Sequence, residues 1–165
     1  MRMPDRPIRL YGDPVLATVS DPIAAVDDGV RSLVADLVDS VKVEGRAGVA
    51  ACQIGVGLRA FSYNVDGEVG YLINPEIVEL GDEVEEIDEG CLSVPGLWFP
   101  TPRHTYAKAR GIDLDGNEVV VEGTGVLAQA LQHETDHLDG IVYLKRLAPE
   151  RRREAMRKVR ESSWF

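Results

Sequence analysis

Two histidines four residues apart enclose a glutamate in the stretch Gln132-His133-Glu134-Thr135-Asp136-His137. Positions four apart on an α-helix differ by about 40° in direction, so both imidazoles project from one side and can share one metal ion. This pattern constrains the fold twice. The segment must be helical, and the histidines must meet further groups carried in from elsewhere in the chain. The surroundings agree with the first demand: Val126 to Leu131 is a proline-free, helix-forming run, and Gly140 follows closely enough to end it. Chance would produce His-Glu-x-x-His in about one such sequence in two hundred. Glu134 is placed to handle a metal-bound water. A catalytic centre of this kind normally takes three protein ligands and keeps one position open, so a third ligand is expected outside the helix.

At 165 residues the chain has the length of one domain and can bury most of its apolar surface without disulfides. Cys52 and Cys91 are too few for a secreted disulfide scaffold, which favours a reducing compartment. Residues 1–7 are charged and broken by prolines, and no apolar run approaches signal or membrane-spanning length. A cytoplasmic, monomeric protein without membrane contact is expected. The net charge of −10 argues against a DNA-binding protein. The tail differs, with Arg151, Arg152, Arg153, Arg157, Lys158 and Arg160 outnumbering Glu150, Glu154 and Glu161.

In chain order, Asp13-Pro14 predicts a capped short helix ended by Asp21-Pro22. Val30, Leu33, Val34, Leu37, Val38 and Val41 recur at helical spacing and predict a longer helix from Asp27 to about Val43. The run Gly45 to Gly55 is dense in residues too small to fill a core and allows close backbone approach, or is simply a tight helix-to-strand connection. Gln53 stands out in it, with two donors and an acceptor in an apolar setting. Residues 58–65 and 70–77 read as strands joined at Asp66-Gly67, and 105–114 and 118–121 as a second pair around Asp115-Gly116-Asn117. Between them, Glu79 to Glu89 holds seven acids and no base, the usual mark of a solvated strand or loop. Thr124 is an expected N-cap, and a charged helical pattern runs from Pro149 toward Phe165. Antiparallel strands followed by a metal-bearing helix imply an α+β fold. Its antiparallel sheets pack around the central His-Glu-x-x-His helix, with a C-terminal helix, in a single domain over residues 1–165.

The third ligand has two candidates. Cys91 lies between Gly90 and a proline-limited turn, on sharply shaped backbone; a metal would stabilise its thiolate. Cys52 alternates with small apolar residues and reads as packing. His104 reads as a surface or hydrogen-bonded histidine.

Three stretches together resemble the peptide deformylases. That family carries Gly-x-Gly-hydrophobic-Ala-Ala-x-Gln, then Glu-Gly-Cys-hydrophobic-Ser, then Gln-His-Glu-x-x-Asp-His-Leu. Here they read Gly48-Val49-Ala50-Ala51-Cys52-Gln53, Glu89-Gly90-Cys91-Leu92-Ser93 and Gln132 to Leu138. The resemblance implies removal of the formyl group from N-formylmethionyl peptides, with release of formate. It implies Cys91, His133 and His137 as metal ligands and Glu134 as acid/base, with Gln53 and the backbone N–H of Leu92 binding the carbonyl oxygen. A methionine pocket maps onto Ala47, Gly48, Ile87, Glu89, Val126, Gln129, Ala130 and His133. One divalent ion per chain is implied, Fe2+ in the cell, with Zn2+, Ni2+ or Co2+ also compatible with a thiolate and two imidazoles. A metal-bound hydroxide would attack the formyl carbon. The basic C-terminal helix is either a solvated cap or a transient ribosome contact.

Two positions depart from the family pattern: Arg46 replaces a glycine, and Trp98 stands where some members carry an arginine that holds the peptide. Two other readings of the metal motif stay open. An ordinary metallopeptidase shares it but generally completes its site with Glu, Asp or His. A structural zinc module would need a fourth protein ligand.

Overall fold

The computed structural model describes residues 6–165, so the first five residues of the charged N-terminal stretch lie outside it. Helix α1 (Asp28–Val41) begins where Asp27 accepts a hydrogen bond from the Val30 N–H at 2.9 Å. The expected helix at Pro14 is a single 3-10 turn, Pro14–Ala17, capped by Asp13 as predicted. Seven strands follow: β1 (Gly48–Ala50), β2 (Ala60–Val65), β3 (Glu68–Leu80), β4 (Val84–Cys91), β5 (Val94–His104), β6 (Tyr106–Ile112) and β7 (Glu118–Thr124). Helices α2 (Gly125–Leu138) and α3 (Pro149–Glu161) complete the chain.

Strands β1-β2-β3-β6-β7 form one sheet in that order, β4 and β5 form a separate two-stranded sheet, and every pairing is antiparallel. Both hairpins foreseen at Asp66-Gly67 and around Asp115-Gly116-Asn117 are present. The acidic run 79–89 spans the end of β3, a short connection at 81–83 and most of β4, which pairs along its length with β5.

The larger sheet is buried on both faces near its centre. Successive strand residues point to opposite sides. Ala50, Phe61 and Leu72 join a cluster with Ala128, Leu131 and Leu138 of α2, whereas Val49, Ala60 and Ile73 join Val30, Leu33, Val34, Leu37 and Val41 of α1. Helix α2 therefore has the sheet on one side, and it also packs against β5. A helix enclosed in this way must be buried around most of its circumference. Its second half is: every residue from Ala130 to Leu138 is buried. Thr124 occupies the N-cap position with extended backbone, but its side chain makes no capping bond. Helix α3 inserts Ala155 and Val159 into the core, and among the described residues no helix is long and apolar enough to cross a membrane.

Candidate active site

The buried half of α2 is mostly polar: Gln132, His133, Glu134, Thr135, Asp136 and His137 all lie below the surface. Such groups are expensive to bury unless each finds a hydrogen bond, an ion pair or a metal. Their partners define the site.

Cys91, His133 and His137 bring their donor atoms within 4.8 Å of one another. His137 Nε2 lies 3.2 Å from His133 Nε2 and 3.4 Å from Cys91 Sγ. Around a tetrahedral ion with S at ~2.3 Å and N at ~2.0–2.1 Å, two nitrogens stand ~3.3 Å apart and sulfur and nitrogen ~3.6 Å. The donor set fits a divalent cation in both spacing and chemistry. His133 Nδ1 lies 2.7 Å from Glu89 Oε2, and a proton there leaves the Nε2 lone pair free to bind metal.

Glu89 is itself held by an ion-pair chain. Arg103 grips it through Nε at 2.8 Å and Nη2 at 2.6 Å, and extends Nη1 to Asp136 Oδ2 at 2.8 Å. Asp136 also receives Nε and Nη2 of Arg146, at 3.0 and 2.7 Å. Burial pushes the Glu89 carboxyl up, but Arg103 and His133 outweigh it and hold the group at about 2. Burial likewise disfavours a charged His133, yet Glu134, Cys91 and Glu89 keep its pKa above the ordinary value. His137 is pushed down by burial and by His133.

Glu134 behaves differently from Glu89 although the two are close. Burial, reinforced by the negative charges of Glu89 and Asp136, raises its carboxyl to about 7, and its Oε1 has no hydrogen-bond partner among the described residues. A buried carboxyl poised near neutral pH suits proton transfer. The space it occupies depends on Gly48, where a Cβ would sit 2.6 Å from Glu134 Oε2. Next along the chain, Ala50 N–H donates to Gln53 Oε1 at 3.0 Å, which fixes the orientation of the amide. Gln53 Nε2 then faces Ser93 Oγ at 3.2 Å and Cys91 Sγ at 3.8 Å. Cys52 is fully buried in the core, with its thiol pushed up to about 12 by burial first. His104 is hydrogen-bonded, with Nδ1 2.6 Å from the Gly81 carbonyl oxygen.

These groups open onto a cleft of about 290 Å³. Of the residues singled out from sequence, Ala47, Gly48, Gln53, Glu89, Cys91, Leu92, Val126, Gln129, Ala130, His133 and Glu134 line it. His137 lies beneath, fully buried. Ile87 does not line the cleft; it is half-buried in β4. Arg46 and Trp98 both stand on the cleft wall.

Sequence reasoning missed Arg103, Arg146 and Ser93. Arg103 pairs with groups 14 and 33 positions away, so no local pattern exposes it. Asp136 was visible only as a letter in a motif. Its position beside His137 was a usable signal, since an acid buried on a metal-bearing helix demands a cationic partner.

A sequence profile described as polypeptide deformylase matches residues 5–153. A peptide deformylase of Acidothermus cellulolyticus is 49% identical over 159 residues, covering 96% of this chain and 88% of that protein. One of Parafrankia sp. is 50% identical over 160 residues, covering 96% and 87%. The crystal structure of a peptide deformylase from Legionella pneumophila superposes with a TM-score of 0.87 at 34% identity, over 95% of this chain and 94% of that one. With a metal-fitting Cys/His/His cluster in its cleft, this chain belongs to the polypeptide deformylase family.

Proposed function

We propose that Cys91, His133 and His137 hold the divalent ion with which this enzyme hydrolyses the formyl group of nascent peptides. In the same reading Glu134 moves the proton, while Gln53 and the backbone N–H of Leu92 receive the carbonyl oxygen. One observation carries the assignment: three donor atoms lie within 4.8 Å of one another, with Cys91 and His133 on a cleft that Gln53, Leu92 and Glu134 also line and His137 beneath it.

When bound, a divalent ion held by Cys91, His133 and His137 would supply Lewis-acid chemistry that makes water a better nucleophile near neutral pH. Glu134, with Oε1 unpartnered, accepts the proton released as water adds to the formyl carbon. Raised to about 7, the carboxyl can then return that proton to the departing amine, so formate and a free N-terminus leave. As the carbon becomes tetrahedral its oxygen gains negative charge. Gln53 meets that charge with a preset Nε2, because its Oε1 is already occupied by the Ala50 N–H. Ala47, Gly48, Val126, Gln129 and Ala130 give the cleft the mostly apolar wall that an unbranched thioether suits, with Glu89 at a polar edge.

The native ion in this reading is Fe2+, and the thiolate-imidazole set also accepts Zn2+, Ni2+ and Co2+. The protein acts as a single domain and a monomer in the cytoplasm. Arg152, Arg153, Arg157 and Arg160 are exposed along α3 and suit a transient ribosome contact. Co-sedimentation that is salt-sensitive and lost on truncation after Pro149 tests that contact. The central test is formate release from formyl-Met-Ala-Ser by anaerobically purified protein, with metal content measured on the same sample. Cleavage of internal peptide bonds without formate would overturn the reading. So would unchanged turnover in Glu134→Gln protein that retains its metal.

A further inference from the structure

Leu92 and Ser93 form the turn between Cys91 and Val94, which pair across the β4-β5 hairpin. Beyond that pair the ladder is broken. The register passes from Cys91 opposite Val94 to Gly90 opposite Trp98, so Pro95, Gly96 and Leu97 have no partner on β4 among the described residues. Gly96 takes a φ of 77°, which bends the strand there. Backbone outside the ladder must find other donors. Here they come from distant parts of the chain. The Ser93 carbonyl accepts the Tyr11 N–H at 2.8 Å, that of Pro95 accepts Trp164 Nε1–H at 3.1 Å, and that of Leu97 accepts the Tyr143 hydroxyl at 3.3 Å. On the inner side, Ser93 Oγ faces Gln53 Nε2 at 3.2 Å.

Two of the outer tethers are linked. Phe165 stacks on Tyr11 with ring centroids 6.4 Å apart and 27° between the planes, and Trp164 meets Phe165 edge to face at 6.0 Å. The Tyr11 hydroxyl in turn reaches Met156 Sδ of α3 at 3.8 Å. Trp164 is half-buried and packs against the core cluster that also holds Val94. The two rings therefore hold Pro95 directly and Ser93 through Tyr11, one on each side of Val94.

We propose that Trp164 is a positioning residue for deformylation: with Phe165 it straps the segment after α3 onto this turn and so fixes the Leu92 N–H. The proposal rests on the deformylase reading, in which that N–H receives the carbonyl oxygen. Neither Trp164 nor Phe165 lines the cleft, so their effect passes through the turn. The apolar wall that takes the methionine side chain lies on Ala47, Gly48 and α2, away from the strap. Substrate binding is therefore spared, and the cost falls on the step in which the oxygen gains charge. Losing an oxyanion donor outright costs about 10²–10³ in kcat. Loosening the turn that carries one costs less, about tenfold when both rings are removed and about threefold when only the indole N–H is.

The test compares nickel-loaded full-length protein with its Trp164→Phe variant and its Trp164→Ala/Phe165→Ala double variant. Formate release from formyl-Met-Ala-Ser is measured per bound nickel, and amide hydrogen exchange is followed on the same samples. The expected result is a graded fall in kcat, larger in the double variant, with KM unchanged within about twofold. Amides of Leu92, Ser93 and Val94 exchange faster in the same order, while those of α1 from Leu33 to Val41 keep their protection. That pattern separates positioning from a general loss of stability, which would speed exchange in α1 as well. Unchanged kcat in the double variant overturns the proposal, as does exchange that rises equally in the turn and in α1. Absence of formate from the unmodified protein overturns the deformylase reading instead, and the exchange comparison still decides whether the strap holds the turn.

Discussion

Replacing Arg103 by methionine removes the cation that faces both Glu89 and Asp136 while keeping most of the side chain's length. Arg103 and Glu89 are each about 3% exposed as side chains, so neither charge is compensated by water. Breaking a buried pair by removing one partner typically costs ~3–5 kcal/mol. The carboxyl points the same way: Arg103, with His133, holds Glu89 at about 2 against an ordinary 4.5 although burial pushes it up. For a domain of this size such a loss lowers the melting temperature by roughly 6–20 °C. The pH dependence separates charge from packing. Because the folded Glu89 carboxyl is depressed, its stabilisation is complete above the unfolded value of 4.5 and is lost as pH falls toward about 2. Without Arg103, burial raises the same carboxyl, and protonating it relieves the variant. Urea unfolding of metal-free protein at pH 7 and pH 4.5 should therefore show a gap that narrows at the lower pH. Using metal-free protein keeps any change in metal affinity out of the difference. A gap that is the same at both pH values, or smaller than about 1 kcal/mol at pH 7, would refute the charge-chain account.

Substitutions at two further positions probe the catalytic edge. Gln53→Ala should lower kcat by about 10²–10³ through loss of an oxyanion donor. It should also cost stability, since the Ala50 N–H loses its acceptor. Gln53→Glu keeps an acceptor for Ala50 but presents a carboxylate to the developing oxyanion. Steady-state kinetics should show equal or greater loss of turnover than Ala, with less change in melting temperature. Gly48→Ala would put a methyl group within 2.6 Å of Glu134 Oε2 and force that carboxylate aside. Turnover should fall by about 10², while metal content measured on the same sample stays near one ion per chain.

How far this site was legible depended on whether the physical requirement was local. His133, Glu134 and His137 announce themselves because one helix turn brings them together, and Cys91 because a glycine and a proline shape the turn around it. Gln53 was recognisable as a polar side chain among residues too small to have another purpose. Arg103 was not, because its partners lie on β4 and α2 and meet it only once the hairpin folds over the helix. The acidic run 79–89 looked solvated, and along one face it is. Glu89 ends the same run but points inward, since successive strand residues alternate and its face is the one covered by α2. Composition averages over both faces and hides the residue that matters. Ile87 was assigned to the cleft by resemblance alone, and β4 keeps it off the cleft wall.

The three sequence stretches are parts of one packing solution. Gly48 has no side chain, and that space admits the Glu134 carboxylate. Two residues later the Ala50 N–H fixes Gln53 Oε1 and so turns Nε2 toward Cys91. Strand β4 then delivers two groups from adjacent alternations: Cys91 to Nε2 of His137 and Glu89 to the far nitrogen of His133. Arg103 joins that strand to Asp136 on α2, and Arg146 closes the chain from the other side. His133 and Cys91 are each faced by a group outside the donor set, Glu89 and Gln53, which is what preorganisation requires. The same contacts explain why α2 can be polar and still buried. The charges that would destabilise the helix core are consumed in orienting the ligands, so the stability of the fold and the geometry of the site rest on the same bonds.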